Sequence, residues 1–250
     1  MSEVFEHLDM AGAVFRDVNL QCAEFNNVNL GDAVIHNANL GGLCIEDANI
    51  SGLTVFGFRV DLLISAEMDR RDPLREKLRM SDRYDPQAVR RVLVRLDRLR
   101  AAFVRSLRAL RPDLLSQRPA PHEWSVLETV RHLLFAEELY IHRWILRDAQ
   151  PWSGCGLLSD FLIGQPGFEE VGTVPDPTLE EVLSAWERVH AFTTRYAAQV
   201  TADDLHRGTR DLDFGQGSVG SVLQGLAEHD LDHIRQAEAT LRLLQERRPE

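Results

Sequence analysis

Apolar residues recur every five positions through the first 60 residues of the chain. The series is Phe5, Met10, Phe15, Leu20, Phe25, Leu30, Ile35, Leu40, Ile45, Ile50, Val55 and Val60. Neither an α-helix nor a flat strand has this period, whereas a square coil with one five-residue side on each face does. The pattern therefore predicts a solenoid over residues 1–60, with the large apolar residue of each side filling its axis.

Residues 61–84 lack the five-residue period and predict a helical cap or linker. A short solenoid exposes an apolar layer at its end, and Leu62 and Leu63 are placed to cover it. Pro73 should divide the segment into two short helices. The run of charges at residues 69–72 is expected to face solvent.

From Asp85 onward, apolar residues follow the three-and-four spacing of a buried helical face. Capping residues mark the first three helix starts: Asp85 with Pro86, Ser125 with Glu128, and Thr178 with Glu181. A fourth helix is predicted from Ser218 to Glu246. Four long helices, each with an apolar face, should close into an antiparallel four-helix bundle over residues 85–250.

The connection over residues 147–177 is far longer than the usual link between helices. It is expected either to cross over one end of the bundle or to form a lid, and long loops of this kind are where a site would be lined. Trp152, Cys155 and Phe161 within it are candidates for a pocket wall. Packing of these side chains against the bundle is the favoured interpretation.

Two histidines interrupt the apolar stripe of the last helix. His229 and His233 stand one turn apart, so they project from the same side of the helix, towards whatever Leu226 and Ala237 pack against. The chain has nine histidines, and the pair alone leaves two interpretations open: a shared metal cation, or two hydrogen-bonded histidines of the core. A third ligand from another helix would favour the cation.

His132 is the candidate third ligand, but the apolar pattern of its helix does not decide whether its side chain binds a metal. It lies on a second, narrower apolar stripe of the helix that begins at Ser125, which indicates a buried helix. Glu128 stands one turn earlier and could hydrogen-bond His132, although capping already accounts for it.

The remaining polar residues of these helices have simpler expectations. Asp230 and Asp232 point away from the histidine face and should be solvated. His142 and His190 show no partner pattern and are expected at surface or edge positions.

Composition and charge narrow the class of protein. The chain is 44% hydrophobic, enough for a substantial core. It has no apolar run of membrane-spanning length, and residues 1–10 lack the features of a secretory signal, so a cytoplasmic location is expected. Its net charge of −11 argues against binding nucleic acid by neutralising phosphates. Cys22, Cys44 and Cys155 are too few for a disulfide framework or a thiolate zinc site, so any metal must depend on histidine, carboxylate and water.

The first 60 residues resemble the pentapeptide-repeat family. The family motif, a small residue followed by Asp or Asn and then Leu or Phe, recurs as Val18-Asn19-Leu20, Val28-Asn29-Leu30, Ala38-Asn39-Leu40 and Ala48-Asn49-Ile50. The resemblance implies a right-handed quadrilateral β-helix of roughly three coils.

Residues 83–247 resemble the DinB-like superfamily. The resemblance is carried by Trp124-Ser125-Val126, His132-Leu133, Glu228-His229, His233 and Gln236. It implies an up-down four-helix bundle in which one histidine of the second helix and the histidine pair of the last helix bind a divalent metal. The implied metal ligands are His132, His229 and His233.

The resemblance also implies a function. Three neutral imidazoles suit zinc, nickel or iron and leave coordination positions open, where a bound water or thiol has a lowered pKa. Characterised members of the superfamily are thiol S-transferases, and one branch isomerises maleylpyruvate with mycothiol. We therefore expect a metal-dependent thiol transferase, or a related hydrolase or isomerase, that acts on a small-molecule electrophile with a low-molecular-weight thiol such as mycothiol. No residue is assigned a catalytic role.

The alternative is a non-enzymatic interaction or scaffold protein that uses the repeat head. Pentapeptide-repeat proteins include DNA mimics that inhibit gyrase, and residues 1–60 hold eight acidic residues against Arg16 and Arg59. About three coils are short for a duplex mimic, so a docking or homodimer surface is the milder form of this alternative. Neither interpretation involves a membrane or direct binding of nucleic acid.

Overall fold

The computed structural model describes residues 4–26, 28–46, 48–121, 123–209 and 217–246. The chain separates into two compact units, Met1–Leu43 and Cys44–Glu250. Within the described ranges, no helix combines the length and the apolar character that crossing a membrane requires.

In the first unit a tight turn recurs every ten residues, which is every second repeat. The turns lie at residues 11–12, 21–22, 31–32 and 41–42. At the second of them, Asn19 Oδ1 accepts a hydrogen bond from the Gln21 N–H at 3.0 Å, and the Ala23 N–H donates to the Leu20 carbonyl at 3.0 Å. The polar residue of the repeat motif therefore has a local role, because its side chain stabilises the turn that follows it.

The predicted quadrilateral β-helix is not confirmed. The described residues between 4 and 43 form no strand, and the apolar series stays exposed, for example 70% at Phe5 and 59% at Leu30. A closed coil would bury this series around its axis. The turn hydrogen bonds are local and form without neighbouring coils, whereas a β-helix also needs backbone hydrogen bonds between successive coils.

The second unit is mainly helical. Its elements in chain order are β1 (Thr54–Val55), β2 (Phe58–Arg59), α1 (Val60–Arg71), α2 (Pro73–Leu78), α3 (Pro86–Arg108), α4 (Pro112–Leu115), α5 (Val126–Glu137), a π-helix (Glu138–Leu146) that continues α5, a 3₁₀ turn (Asp160–Leu162), α6 (Leu179–Gln199), α7 (Ala202–His206), β3 (Gly208–Thr209), β4 (Gly217–Ser218) and α8 (Val219–Glu246). The strands form two short antiparallel pairs, β1 with β2 and β3 with β4. In the first pair Thr54 lies opposite Arg59.

The predicted helix starts are confirmed by their capping hydrogen bonds. Asp85 accepts from the backbone N–H groups at the start of α3. Ser125 and Glu128 form a reciprocal capping box at α5, and Thr178 and Glu181 form another at α6. These side chains satisfy backbone donors that have no partner inside the helix, which sets where each helix begins.

Four of the helices form a bundle, because α3 and α5 each pack against both α6 and α8. Each contributes fully buried apolar side chains to the core. Examples are Leu96, Leu133, Leu183 and Leu226, which are at most 1% exposed. The predicted helical domain is therefore confirmed.

Side-chain contacts show the direction of α6 relative to α3. Arg108, at the end of α3, donates to Glu180 at the start of α6. Arg90, near the start of α3, donates to the carbonyl of Ala198 near the end of α6. The two helices are therefore antiparallel.

The same reasoning gives the directions of α5 and α8. Arg83 contacts Ser221 and Arg100 contacts Asp230, so α3 and α8 run parallel. The Trp124 ring lies beside His233, and the Tyr140 ring lies beside the earlier residue His229, so α5 and α8 are antiparallel. It follows that α5 and α6 run parallel. The prediction that successive helices of the bundle alternate in direction is therefore wrong for this pair.

The connection over residues 147–177 explains the parallel pair. Ser153 donates its N–H to Glu138 at 2.8 Å, and the Leu157 N–H donates to the Arg131 carbonyl at 3.2 Å. The connection therefore runs back along α5 towards the end of the bundle at which α5 began. Its length allows α6 to start from that end.

Pro73 separates α1 from α2, as predicted. The expectation that residues 69–72 face solvent is wrong for Asp72, which accepts a hydrogen bond from Arg235 of α8 at 2.6 Å. This contact ties the start of α2 to the bundle. By contrast α1 buries none of its residues, and Leu62 and Leu63 are 60% and 62% exposed.

Candidate metal centre

Helices α5 and α8 bring three imidazoles together. His132 lies in the middle of α5, and His229 and His233 lie one turn apart in α8. One ring nitrogen from each residue lies within 4.8 Å of those of the other two. The Nε2 atoms of His132 and His229 are 3.1 Å apart. The apolar pattern did not decide whether His132 is a third ligand. The structure shows that its ring faces His229 and His233.

The spacing fits one divalent ion. Zn–N bonds of about 2.0–2.1 Å at tetrahedral angles place two ligand nitrogens roughly 3.3 Å apart, close to the 3.1 Å between His132 and His229. Two unprotonated nitrogens at this distance repel each other unless a cation or a shared proton lies between them. A donor set made only of imidazole nitrogen suits zinc, nickel or iron.

Two of the rings are oriented by hydrogen bonds at the nitrogen that faces away from the cluster. His132 Nδ1–H donates to the Leu157 carbonyl at 3.1 Å, and His233 Nδ1–H donates to Gln236 Oε1 at 2.7 Å. Because each Nδ1 carries the proton, each Nε2 is left with its lone pair. The connection that runs along α5 thus contributes directly to the site through Leu157.

The surroundings keep these imidazoles neutral. Burial lowers the pKa of His132 well below its ordinary range, and the neighbouring His229 and His233 lower it further. Burial, followed by the influence of His229, lowers the pKa of His233 to about 4. A histidine must be deprotonated to bind a metal, so both rings are in the form that coordination requires at neutral pH.

Aromatic rings form the walls of the site. The Trp124 ring centroid lies 4.7 Å from that of His132 and 6.0 Å from that of His233, while the Tyr140 ring lies 5.7 Å from His229. His132 is only 4% exposed, whereas the His229 side chain is 20% exposed. Of these two rings, His132 is therefore buried, and His229 lies at the solvent-accessible edge of the cluster.

The π-helix that continues α5 was not predicted. Its wider turn follows directly after the histidine-bearing part of the helix, and it carries Tyr140. Burial raises the pKa of Tyr140 to about 12, so its hydroxyl stays protonated near neutral pH. π-Helical turns inside α-helices are frequent at functional sites.

A buried polar cluster contradicts the expectation that Asp230 is solvated. Asp230 is 0% exposed and accepts a hydrogen bond from Arg100 Nε at 2.5 Å. Arg100 also contacts Glu137, which is 0% exposed. His190 contacts Glu137 and Asp97 at 2.9 and 3.1 Å. Asp230 was therefore wrongly placed in solvent, because its partner Arg100 comes from another helix. His190, with its side chain 27% exposed, lies at an edge position, as expected.

Other expectations for polar residues have mixed outcomes. His142 is 8% exposed and contacts Asp148 at 3.2 Å, so its surface placement is wrong. Asp232 is half-exposed and pairs with Arg75 of α2. Glu128 caps α5 and pairs with Arg118, which supports the capping interpretation.

A sequence signal for the buried cluster did exist. Arg100 lies four residues after Leu96 and three before Phe103, both buried residues of the α3 stripe. Glu137 lies four residues after Leu133, on the buried face of α5. A charged residue at a stripe position indicates a buried partner of opposite charge.

Two of the three candidate pocket residues of the connection, Trp152 and Cys155, pack against the bundle. The Trp152 ring lies 5.6 Å from Phe135 and 5.5 Å from Phe168. Cys155 is 8% exposed within the apolar core, and burial raises the pKa of its thiol. The side chain of Phe161 lies outside the described part of the chain.

A cavity of about 250 Å³ lies one layer of residues away from the three histidines, none of which lines it. Trp124 and Leu157 line it, and both also contact the His132 ring. Arg118 and Arg131 lie in its lining together with the acidic residues Glu128 and Asp160, and Arg118 pairs with Glu128. The lining therefore combines apolar surface with two basic and two acidic side chains, and the guanidinium group of Arg131 is held by backbone carbonyls.

Four helices around converging imidazoles define a helical-bundle protein with a candidate mononuclear metal centre. The family model described as DinB superfamily matches residues 95–237, more than half of the chain, and includes all three histidines. The chain therefore belongs to the DinB superfamily. Pentapeptide repeats, in 8 copies, match residues 4–34 and 13–52. Neither the curated proteins nor the solved structures gave a significant match.

Proposed function

We propose that this chain is a metal-dependent thiol S-transferase, which joins a low-molecular-weight thiol such as mycothiol to a small-molecule electrophile. The observation that carries the proposal is the convergence of ring nitrogens from His132, His229 and His233 within 4.8 Å. Membership of the DinB superfamily, which is typically metal-binding, supports the same assignment. A bound divalent ion would lower the pKa of a thiol at this site and so supply thiolate near neutral pH.

The chain's own residues have separate roles in this proposal. The three histidines hold the ion and leave the solvent-accessible side of His229 for the thiol. Leu157 and Gln236 keep the Nε2 atoms of two rings turned towards the ion. Trp124 packs against the rings of His132 and His233 and forms the wall between them and the neighbouring cavity.

We place the electrophile in the 250 Å³ cavity beside Trp124. Trp124 and Leu157 offer it apolar surface. Arg131 donates to the carbonyls of Cys155 and Gly156 rather than to a carboxylate, so its positive charge favours an acceptor that carries an anionic group. The reaction is proposed to take place in the cytoplasm, where small thiols are kept reduced.

The test is to measure thiol consumption by zinc-, nickel- and iron-loaded protein with a panel of electrophiles, with and without a carboxylate group. We expect thiol adducts to form faster than in buffer, with carboxylate-bearing acceptors preferred. His229→Ala should abolish the rate enhancement. His36→Ala, which removes an exposed histidine of the first unit, is the matched control and should leave the rate unchanged.

Two outcomes would contradict the proposal. One is metal-loaded protein that consumes no thiol with any acceptor of the panel. The other is an enhancement of equal size in the wild type and in His229→Ala, since the chemistry would then not depend on the histidine cluster.

A second candidate function is that of an interaction protein or scaffold. It is favoured by the exposed apolar series of the first unit, in which Phe5 and Phe15 are 70% and 60% exposed. Large exposed apolar series mark surfaces that contact other molecules. In this proposal the partner is a second copy of the chain or another protein, and DNA mimicry is the less favoured form.

Light scattering of the full chain and of a Phe5→Ser/Phe15→Ser double variant tests this second candidate. A dimer in the wild type and a monomer in the double variant are expected. A monomeric wild type would exclude self-association, and unimpaired gyrase supercoiling with excess protein would exclude DNA mimicry.

A further inference from the structure

A buried polar cluster lies directly beside the candidate metal centre. It consists of Arg100 of α3, Glu137 of α5, His190 of α6 and Asp230 of α8, so every helix of the bundle contributes one member. Arg100, Glu137 and Asp230 are at most 5% exposed. Buried charges are costly unless they are paired, which this cluster achieves around Arg100.

Asp230 is the member of this buried polar cluster that faces the histidines. Its Oδ2 accepts from Arg100 Nε at 2.5 Å, while its Oδ1 is buried and has no hydrogen-bond partner. His229 Nδ1 is also buried without a hydrogen-bond partner. The two atoms lie 3.8 Å apart, which is slightly beyond hydrogen-bond distance. Two unsatisfied buried groups of complementary chemistry thus face each other.

The other nitrogen of His229 points into the histidine cluster, 3.1 Å from His132 Nε2. When His229 Nε2 coordinates an ion, the ring proton must lie on Nδ1. The acceptor that the structure offers to this proton is Asp230 Oδ1. A shift of about 0.9 Å, from the observed 3.8 Å to a usual N–H···O distance of about 2.9 Å, would complete the hydrogen bond.

We propose that Asp230, held in place by Arg100, is the positioning carboxylate of His229. It accepts the Nδ1–H of the coordinating ring, fixes the orientation of that ring, and brings negative charge next to a cation that is otherwise bound by neutral ligands. This inference rests on the proposed metal binding. It assigns Asp230 and Arg100 a role in metal affinity, which a purely structural ion pair would not have.

The experiment compares Asp230→Asn with Glu137→Gln. Each change replaces a fully buried carboxylate contacted by Arg100 with its amide, so the expected loss of fold stability is similar. Glu137 accepts hydrogen bonds from Trp186, His190 and Thr193 in addition to Arg100, and none from the three histidines of the candidate metal centre. Only the first variant therefore removes the charge that faces His229.

Zinc affinity is measured by competition with a chromophoric chelator, and the visible spectrum of the cobalt-loaded protein reports ligand geometry. We expect Asp230→Asn to weaken zinc binding about 10- to 100-fold and to change the cobalt spectrum. We expect Glu137→Gln to change the affinity by less than about threefold. Equal losses in both variants, or wild-type affinity in Asp230→Asn, would overturn the proposal.

A measurement on the wild type keeps the proposal testable if Asp230→Asn does not fold. In zinc-loaded protein with ¹⁵N-labelled histidine, we expect the His229 Nδ1–H to be observed as a slowly exchanging proton. Coordination through Nδ1, or rapid exchange of this proton with water, would overturn the proposal. A wild type that binds no zinc would instead contradict the proposed function itself.

Discussion

Each oriented imidazole of the cluster depends on one acceptor at the nitrogen that faces away from the others. For His132 the acceptor is the backbone carbonyl of Leu157, which substitution of a side chain does not remove. For His233 it is the side chain of Gln236, at 2.7 Å. Partners of this kind fix both the tautomer and the direction of a metal-binding ring.

Gln236→Leu should therefore weaken metal binding while the ligands stay intact. Leucine has a similar volume but cannot accept the His233 proton, so we expect affinity to fall by about tenfold or more. Titration calorimetry with zinc measures the change. Gln199→Leu, at an exposed position of α6, is the matched control, and equal affinities of the two variants would show that Gln236 does not orient the ring.

His190 links the stability of the fold to pH. Burial alone would lower its pKa, but hydrogen bonds to Asp97 and Glu137 outweigh burial and raise the pKa from 6.5 to about 9. The pKa is higher in the folded chain than in the unfolded one. The protonated ring therefore stabilises the fold fully below pH 6.5, and this contribution is lost as pH rises through about 9.

The stability of the wild type relative to His190→Gln should accordingly fall as pH rises. We expect the difference in unfolding free energy to shrink by about 2–3 kcal/mol between about pH 6.5 and about pH 9.5. Urea unfolding of both proteins at the two pH values measures this difference. A difference that is constant with pH would mean that His190 is neutral in the folded protein.

For single residues, the sequence predicts a side-chain contact when the partner is nearby in the chain. His229 and His233 were paired from their spacing within one helix. The role of His132 could not be read from its helix alone, because the nearer of the two histidines that it faces is 97 residues away. Asp230 was misplaced for the same reason, since Arg100 is 130 residues away.

Capping residues that are close in the chain set where two helices of the bundle, α5 and α6, begin. The capping boxes of α5 and α6 involve residues three positions apart, so the starts of both helices were predictable from the sequence. The π-helix Glu138–Leu146 and the parallel pair α5 and α6 depend on packing between elements, which has no local signature.

Two glycines of α8 should respond in opposite ways to alanine. A Cβ on Gly220 would lie 2.2 Å from the Arg83 carbonyl oxygen, whereas a Cβ on Gly225 would meet nothing within 4 Å. We expect Gly225→Ala to stabilise the protein by about 0.5–1 kcal/mol through helix propensity. Gly220→Ala should destabilise it, because the backbone before α3 must move.

Chemical denaturation of both alanine variants and of the wild type measures the two effects. The pair controls for the substitution itself, because both glycines lie in the same helix. A stabilising Gly220→Ala would show that α8 does not approach the Arg83 backbone as described.

For the whole molecule, the sequence predicted two kinds of architecture and the structure supports them unequally. The five-residue period of the first unit produces regular turns, such as that closed by Ala23 and Leu20, but it does not produce a closed apolar axis in the described residues. The helical period of the second unit does produce a buried core. Closure of a solenoid depends on contacts between successive coils, which a period along one chain does not specify.

Metal binding should stabilise the second unit as a whole, because the ligands come from both α5 and α8. An ion that binds only the folded chain adds about 2.7 kcal/mol when its free concentration is 100 times its dissociation constant. We expect the melting temperature to rise with added zinc and to return to its starting value with chelator. Calorimetric melting curves of the wild type measure this shift, and the same zinc-dependent rise in His233→Ala would contradict the proposed site.

The most direct measurement is the metal content of untagged protein, determined by elemental analysis of the wild type and of His132→Ala. Our account predicts about one divalent ion per wild-type chain and almost none in the variant, since the α5 imidazole completes the cluster. Equal metal content in the two proteins, or a wild type that stays metal-free after incubation with zinc, nickel and iron, would contradict it.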